Sequence, residues 1–307
     1  MHQTLLHKLR LRSTWAKIFT HLFLIIGGFF MLYPLIFTFL GSLLDKDDFL
    51  TITLMPWPSG APDFSNLLLF FQYDGVFSSI GITLASFIFH SFWVVITSLL
   101  AGYVFARVDF KGKTFVFYLL MASMMIPTTA TLLPTYLLYA RIPLIGGNGL
   151  NGMGGRGLIG SWPVLFVGGL ISAYNIFLIK QSIAQTGFEI SESAEIDGAG
   201  NFRIVFSIYM PLMRPVLAVI IIGLFFGQWN DYLFPMIFMM NTRTSSLMPI
   251  GYFVFEIIED VTGPSGTYPN YPAIFGVSFM NMLPPILVFA ILQKQFVEGL
   301  ALGSLKG

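Results

Sequence analysis

Long stretches without charged residues divide this chain of 307 residues. Four uncharged runs hold 27, 32, 27 and 23 residues, at 18–44, 75–106, 114–140 and 157–179. A fifth run follows Arg214 and is interrupted only by Asp231, and a sixth occupies about 273–292. A helix of about 20 residues crosses the hydrocarbon of a bilayer, and neither loops nor open sheet edges can face lipid. The pattern predicts an all-α membrane protein with six transmembrane helices.

Composition and charge agree with this prediction. The chain is 55% apolar and 10% charged, and its mean hydropathy of +0.78 exceeds what a soluble domain can cover with polar surface. It has no cysteine, which excludes disulfides, thiolate metal sites and a cysteine nucleophile. The net charge of +1 gives no reason to expect a nucleic-acid partner.

The basic residues predict an orientation. If the N-terminus is cytoplasmic, twelve of the sixteen Lys and Arg residues lie on the cytoplasmic side, as the positive-inside rule requires. Both termini are then cytoplasmic, and so is the acidic loop at 187–211. We expect the first run to be a retained span, because its position and length do not fit a removed signal peptide.

Two outer segments and two residue types within the spans carry further expectations. The segment 45–74 is rich in Pro and Asp and predicts an irregular external loop, and the glycine-rich stretch at 146–160 predicts a flexible one. Pro127 and Pro134 should kink the third span, either for packing or as a gating hinge. His90 in the second span is typical of a satisfied packing residue more than of a proton relay.

The acidic loop concentrates four of the chain's fifteen acidic residues within nine positions. Glu189, Glu192 and Glu195 recur at i, i+3 and i+6, so they share one face of a short helix. Gly198 and Gly200 should end that helix, and Asn201 can cap a second one that begins at Phe202. Two short helices joined at an angle form a rigid projection on the inner membrane surface.

The spacing in this loop resembles a known signature. ABC importer permeases carry a cytoplasmic motif written Glu-Ala-Ala, three residues, Gly, nine residues, Ile, one residue, Leu-Pro. The matching positions here are Glu192, Ser193, Ala194, Gly198, Ile208, Met210 and Pro211. Ser193 and Met210 depart from the motif, and the other five positions agree in register.

The resemblance implies that this loop is a coupling helix, which docks on a cytoplasmic ATP-hydrolysing subunit. Glu192 would anchor that subunit, Ala194 and Gly198 would allow close approach, and Ser193 and Ala199 would pack. Asp197 would cap or brace the bend. The residues implied in coupling are Glu189, Glu192, Ser193, Ala194, Asp197, Gly198, Ala199 and Pro211.

Other stretches look like the carbohydrate-uptake branch, of the maltose and multiple-sugar type. They are "GYVFARVDFKGK", "IPTTATLLPTYLL", "IFLIKQ", "WNDYLFPMIF" and "GLALGSLKG". The resemblance implies a type I importer permease fold and a C-terminal tail that enters the interface of the ATPase pair. The tail residues implied are Gln295, Gly303, Lys306 and Gly307. We therefore expect three parts: an N-terminus, first span and outer loop at 1–74, a five-helix core at 75–294, and a cytoplasmic tail at 295–307.

Trp229, Asn230 and Asp231 form the main strongly polar cluster within a span. An aromatic face, an amide and a carboxylate are groups that bind sugars, so this trio is a candidate for the substrate path. Alternatively, Asp231 lies at the outer headgroup level and braces its own helix. The companion subunit could also supply most contacts to the sugar.

The resemblance implies a function and a set of partners. The chain would be the permease of a binding-protein-dependent sugar importer in a bacterial or archaeal cell membrane. It would pair with a second permease, two ATPase subunits and an external binding protein. No GxxxxGK[ST] loop is present, so ATP and Mg²⁺ would bind the ATPase, and this chain would be no enzyme. A permease for another solute is an alternative; an ion-coupled transporter is a weaker one, because the spans offer chiefly Asp231 and His90 as ionisable groups.

Overall fold

The computed structural model describes the backbone of residues 2–50, 54–239, 248–264 and 268–304, and their side chains from 15 to 294. Every regular element in these ranges is a helix. In chain order they are α1 (His2–Ser42), α2 (Lys46–Phe49), α3 (Ser65–Gln72), α4 (Val76–Arg107), α5 (Lys113–Ser123), α6 (Thr128–Ala140), α7 (Val164–Val167), α8 (Ala173–Gln185), α9 (Glu189–Ile196), α10 (Asn201–Arg203), a π-helix (Ile204–Tyr209), α11 (Met210–Leu212), α12 (Arg214–Asn230), α13 (Leu233–Phe238), α14 (Ile250–Thr262) and α15 (Tyr271–Ser304).

Three of these helices contain segments that are long and apolar enough to cross a bilayer: Trp15–Ser42, Val76–Arg107 and Tyr271–Lys294. Two bent pairs raise the number to five if each pair is counted as one span. One pair is α5 with α6, bent by 96°, and the other is the segment Asn201–Leu212 with α12, bent by 80°. The all-helical prediction is therefore confirmed for the described residues, which hold three to five candidate spans.

The predicted fourth span is not one continuous helix. The uncharged run 157–179 contains α7, a non-helical stretch at 168–172 and the first half of α8. An absence of charge indicates that a segment can lie in lipid, but it does not indicate an unbroken helix. Non-helical backbone at membrane depth must find its partners within the protein, and here α4 provides them, as described below.

The proline prediction for the third span is confirmed at Pro127. This residue precedes α6 with an extended backbone (ψ 135°), at the point where α5 and α6 turn by 96°. Pro134 lies inside α6, which continues through it to Ala140.

The chain forms two compact units. The first contains Met1–Tyr73 and Ile257–Met282. In it, the rings of Phe39 and Phe279 lie 4.9 Å apart, between α1 and α15. The Tyr73 hydroxyl donates to Asp260 Oδ2 at 2.6 Å, and burial together with this carboxylate raises the pKa of Tyr73 to about 12.

The prediction that 45–74 is irregular is wrong in part, because the segment contains α2 and α3. Asn66 on α3 donates its side-chain amide to the carbonyls of Ser42 and Leu44, at 3.1 Å each. Ser42 is the last residue of α1 and Leu44 lies two residues beyond it, where backbone acceptors lack helical partners. The outer segment thus caps the first helix.

The second unit contains Asp74–Glu256 and Leu283–Gly307. Its α4 and α8 approach closely at Gly102, where a methyl group would lie 2.5 Å from Cγ2 of Ile179. Val94, Leu99, Ile179 and Ile183 join the π-helix and α12 in one buried apolar cluster. The acidic loop is attached to this cluster.

The glycine-rich outer stretch is folded on itself, contrary to the prediction of a flexible loop. Asn148 is buried, and its side-chain amide donates to the carbonyls of Ala140 and Ile142 at 2.9 Å each. Its Oδ1 accepts a hydrogen bond from the Gly155 N–H at 2.8 Å. One asparagine therefore organises the loop, which glycine content alone could not reveal.

Candidate functional site

The acidic stretch forms the helix that its periodicity predicts. Helix α9 exposes Glu189, Glu192 and Glu195 and buries Ser191 and Ala194 on its opposite side. Ala194 joins the apolar cluster of the second unit. The carboxylates therefore face outward from a helix that is packed against the core.

Gly198 ends α9 as the sequence predicts. Its φ of +80° is in the left-handed region that favours glycine. The Gly198 N–H donates to the Glu195 carbonyl at 3.0 Å, and the Ala199 N–H donates to the Ala194 carbonyl at 2.9 Å. These two bonds form a Schellman motif, which satisfies carbonyls at the helix end. Asp197 is the exposed C-cap residue of α9.

The predicted capping role of Asn201 is wrong. Gly200 occupies the N-cap position, and Asn201 is the first residue of α10, without a side-chain cap. The Asn201 Oδ1 instead accepts a hydrogen bond from the Tyr103 hydroxyl of α4 at 3.2 Å. The side chain is used to hold the loop against a neighbouring helix.

Apolar side chains lie beside the carboxylates on the exposed surface of the loop. Ile196 is 87% exposed and Phe202 is 71% exposed, on either side of the turn at Gly198. Single exposed apolar residues are common, but two large ones flanking a rigid turn form a contact surface. Only the acidic residues of this surface were predicted to make contact; the apolar residues that flank "DGAGN" in the sequence, Ile196 and Phe202, were the signal that could have indicated the rest.

The remaining predicted coupling residues have ordinary structural roles in this loop. The Ser193 hydroxyl donates to the Glu189 carbonyl at 2.6 Å, within α9. Ala199 is half-buried against the apolar cluster. Pro211 lies in α11, and α12 begins at Arg214 after a turn at Met213.

A cavity of about 500 Å³ lies within the second unit. Its apolar walls include Tyr139, Phe234 and Phe238. The polar lining residues are His90, Thr128, Thr131, Thr135, Gln228 and Asp231. The size is in the range of small-molecule sites, and hydroxyl, amide and carboxylate groups facing aromatic rings can bind a polyhydroxylated ligand.

Of the predicted polar trio, only Asp231 lines this cavity. Trp229 is buried, and its ring stacks on that of Phe225 with the two ring centres 5.4 Å apart. Asn230 donates to the Phe226 carbonyl of its own helix at 3.0 Å. Asp231 Oδ1 accepts from the Phe234 N–H at 3.1 Å, so this carboxylate braces α13 and also faces the cavity.

The predicted tail residues Gln295, Gly303, Lys306 and Gly307 cannot be placed as a site. The backbone of α15 extends to Ser304. The side chains of 295–307 lie outside the described residues.

Known proteins resemble the chain over nearly its whole length. It is 27% identical to the arabinooligosaccharides transport system permease protein of Bacillus subtilis over 288 residues, which cover 93% of this chain and 94% of that protein. It is 32% identical to the galactooligosaccharides transport system permease protein of the same organism over 206 residues, or 67% and 66% of the two chains. It is 25% identical to the sn-glycerol-3-phosphate transport system permease protein of Agrobacterium fabrum over 295 residues, or 93% and 96%. No protein-family model matches it.

Among solved structures, a bacterial ABC transporter involved in the import of the acidic polysaccharide alginate shares the fold. The TM-score is 0.66 at 22% identity, and the match covers 91% of this chain and 96% of that one. The chain belongs to the permease subunits of ABC importers. The permease is thus a multi-pass membrane protein and a transport component, not an enzyme.

Helix α4 of the permease supports the break in the fourth uncharged run. The His90 Nε2 lies 2.6 Å from the Gly168 carbonyl oxygen and donates to it in the tautomer with a proton on Nε2. The Thr97 hydroxyl lies 2.9 Å from the Leu170 carbonyl. Both carbonyls belong to the non-helical stretch 168–172, which lacks helical partners. The expectation that His90 is a satisfied packing residue is confirmed.

We predict that His90→Leu destabilises the permease by about 1–3 kcal/mol, because the half-buried Gly168 carbonyl loses its donor. Thermal unfolding of the purified protein in detergent measures this. His21→Leu is the matched control: His21 is exposed on α1, and its ring contacts the Lys17 carbonyl of its own helix. Equal melting temperatures for the two variants would contradict a supporting role for His90.

Proposed function

We propose that this permease forms part of the translocation path of an ATP-driven importer for neutral sugars, most simply oligosaccharides. The observation that carries the substrate class is its similarity to permeases named for arabinooligosaccharides and galactooligosaccharides. The glycerol-3-phosphate permease is also similar, so an anionic solute is the second candidate.

The cavity favours the neutral solute. Its polar lining contains three threonine hydroxyls, the Gln228 amide, the His90 imidazole, which is bonded to the Gly168 carbonyl, and the Asp231 carboxylate, with no Lys or Arg among the described lining residues. A phosphate is usually bound by cationic groups or helix N-termini, and a neighbouring carboxylate would repel it. Sugar hydroxyls both donate and accept hydrogen bonds, so they can pair with every group in this lining.

The proposed topology has six spans and two cytoplasmic termini. The distribution of Lys and Arg supports it, since twelve of the sixteen lie on one side under this arrangement. The fourth span would then consist of α7, the stretch 168–172 and α8. A broken helix is tolerated in a membrane when its free carbonyls are bonded internally.

The proposed assembly is a heterodimer with a second permease, two cytoplasmic ATPase subunits and an external binding protein. ATP and Mg²⁺ would bind only the ATPase subunits. The coupling loop, residues 187–211, would dock on an ATPase subunit through the carboxylates of α9 together with Ile196 and Phe202, and the tail at 295–307 would reach the ATPase pair. ATP binding would close that pair, the loop would transmit the closure to the spans, and hydrolysis would reset them.

We expect the permease, expressed with the genes adjacent to its own and purified by a tag, to retain an ATPase and a second permease. Hydrolysis of ATP should be stimulated by the cognate binding protein loaded with an oligosaccharide. Stimulation by glycerol 3-phosphate instead would favour the anionic solute. Transport by this chain alone in liposomes without ATP would contradict the importer assignment.

We expect Glu192→Lys to lower sugar uptake about tenfold, the size of a typical coupling between two sites. The reversed charge would repel a basic docking surface while leaving the spans unchanged. Uptake and ATP hydrolysis by the reconstituted complex measure the effect. Asp109→Lys makes the same charge change at an exposed residue outside the loop and should leave uptake near normal. Equal uptake by the two variants would count against docking through Glu192.

We expect the double variant Thr131→Val and Thr135→Val to raise the KM for sugar uptake about tenfold, through the loss of two hydrogen bonds. Valine keeps the shape of threonine and removes only the hydroxyl. Thr129→Val is the control, because Thr129 is on the same helix and does not line the cavity. An unchanged KM in the double variant would mean that the companion subunit supplies the sugar contacts.

A further inference from the structure

Arg107, the last residue of α4, contacts both ends of the coupling loop. Its Nε donates to the Tyr209 hydroxyl at 2.8 Å. Its Nη2 lies within 3.0 Å of four oxygens, which are the carbonyls of Ile183, Thr186 and Gly187 and the Thr186 hydroxyl. Tyr209 is in the π-helix at the end of the loop. Ile183 is in the last turn of α8, and Thr186 and Gly187 connect α8 to α9 where the loop begins.

The acceptors at the start of the loop belong to the end of α8. The last carbonyls of a helix have no partners within it, and the helix dipole favours a cation there. The guanidinium supplies that cation from a different helix. None of its hydrogen-bond partners in the described part of the chain is a carboxylate, so backbone and hydroxyl oxygens hold it.

Two aromatic rings complete the surroundings of the guanidinium. Its carbon Cζ lies 4.2 Å from the centre of the Phe188 ring and 5.6 Å from that of Tyr209. Arginine is suited to such a place because its planar group can stack and donate several hydrogen bonds at once, whereas lysine cannot do both. Tyr103 lies one turn earlier on α4, and the centre of its ring is 5.6 Å from the centre of the Tyr209 ring.

One nitrogen of Arg107 is left without a protein partner. Nη1 is buried and has no hydrogen-bond partner among the described residues. A buried unpartnered donor is unfavourable. The other two nitrogens of the guanidinium form all of its hydrogen bonds, and these bonds hold two separate segments.

We propose that Arg107 is a positioning residue that transmits displacement of the coupling loop to α4 and α8. The inference rests on the proposed coupling function of residues 187–211. Because one planar guanidinium bonds both the start and the end of the loop, the loop moves as one body with the ends of the two helices. Without it, the loop remains attached through its apolar face and loses the directional bonds that fix its angle.

Reconstituted transporter complexes test this proposal through the number of sugar molecules imported per ATP hydrolysed. Arg107→Met keeps the unbranched stem and removes the bonds, Arg107→Lys keeps the charge, and Tyr209→Phe removes one acceptor. Lys111→Met is the control, since Lys111 is an exposed cation four residues beyond Arg107. We expect this ratio to fall about tenfold in Arg107→Met and by a smaller factor in the other two test variants. ATPase subunits should still co-purify, and the control should match the natural protein.

A lower melting temperature with an unchanged ratio would overturn the proposal, because it would show a purely structural role. If Arg107→Met does not assemble with the other subunits, the same ratio is measured for Arg107→Lys and Tyr209→Phe, and an unchanged ratio in both overturns the proposal. Glu192→Lys is measured in parallel. If the ratio falls in Glu192→Lys and not in the Arg107 and Tyr209 variants, the role of Arg107 is overturned and the docking role of the loop stands. If the ratio is unchanged in all of these variants, the docking role of the loop is overturned as well.

Discussion

The second unit depends on one requirement, that backbone polar groups in an apolar environment be bonded within the protein. Helix α4 meets it with a row of polar side chains on one face. The Thr83 hydroxyl accepts from the Ile250 N–H at the start of α14 at 2.8 Å. His90 and Thr97 bond carbonyls of the non-helical stretch 168–172, so a single helix supplies partners to the backbone in two other places.

The same requirement applies to the backbone beside the cavity. An interrupted helix leaves N–H and C=O groups without helical partners, and these must be bonded elsewhere. In this permease the break near Gly168 and the turn at Asp231 both border the cavity. His90 of α4 bonds the Gly168 carbonyl at the break, and the Asp231 carboxylate accepts the Phe234 N–H at the turn. Two of the polar groups that line the cavity, His90 and Asp231, are therefore also the groups that bond the backbone at these breaks.

Local sequence patterns predicted the elements whose causes are local. The acids at i, i+3 and i+6 gave α9, Gly198 gave its end, and Pro127 gave the bend in the third span. Long-range bonds could not be predicted in this way. The stretch at 168–172 depends on His90, which is 78 positions away from Gly168 in sequence, and the outer loop depends on the burial of Asn148. Asn201 was assigned to the nearest helix end, but its partner is Tyr103 on another helix.

A π-helix, Ile204–Tyr209, lies within the loop signature and affects where the residues after it point. The nine residues between Gly198 and Ile208 pass through this segment, in which hydrogen bonds join residues five apart, as from the Met210 N–H to the Val205 carbonyl. Each residue of an ordinary helix adds a rotation of about 100°, and the wider turn absorbs about one extra residue. If the same nine residues formed a regular α-helix instead, Tyr209 would be turned away from the position that it now occupies. The nine-residue spacing therefore sets both the distance from Gly198 to Ile208 and the direction in which the side chains after the π-helix point. Two coupling loops of different lengths can present the same side chains in the same direction if one of them contains a π-turn.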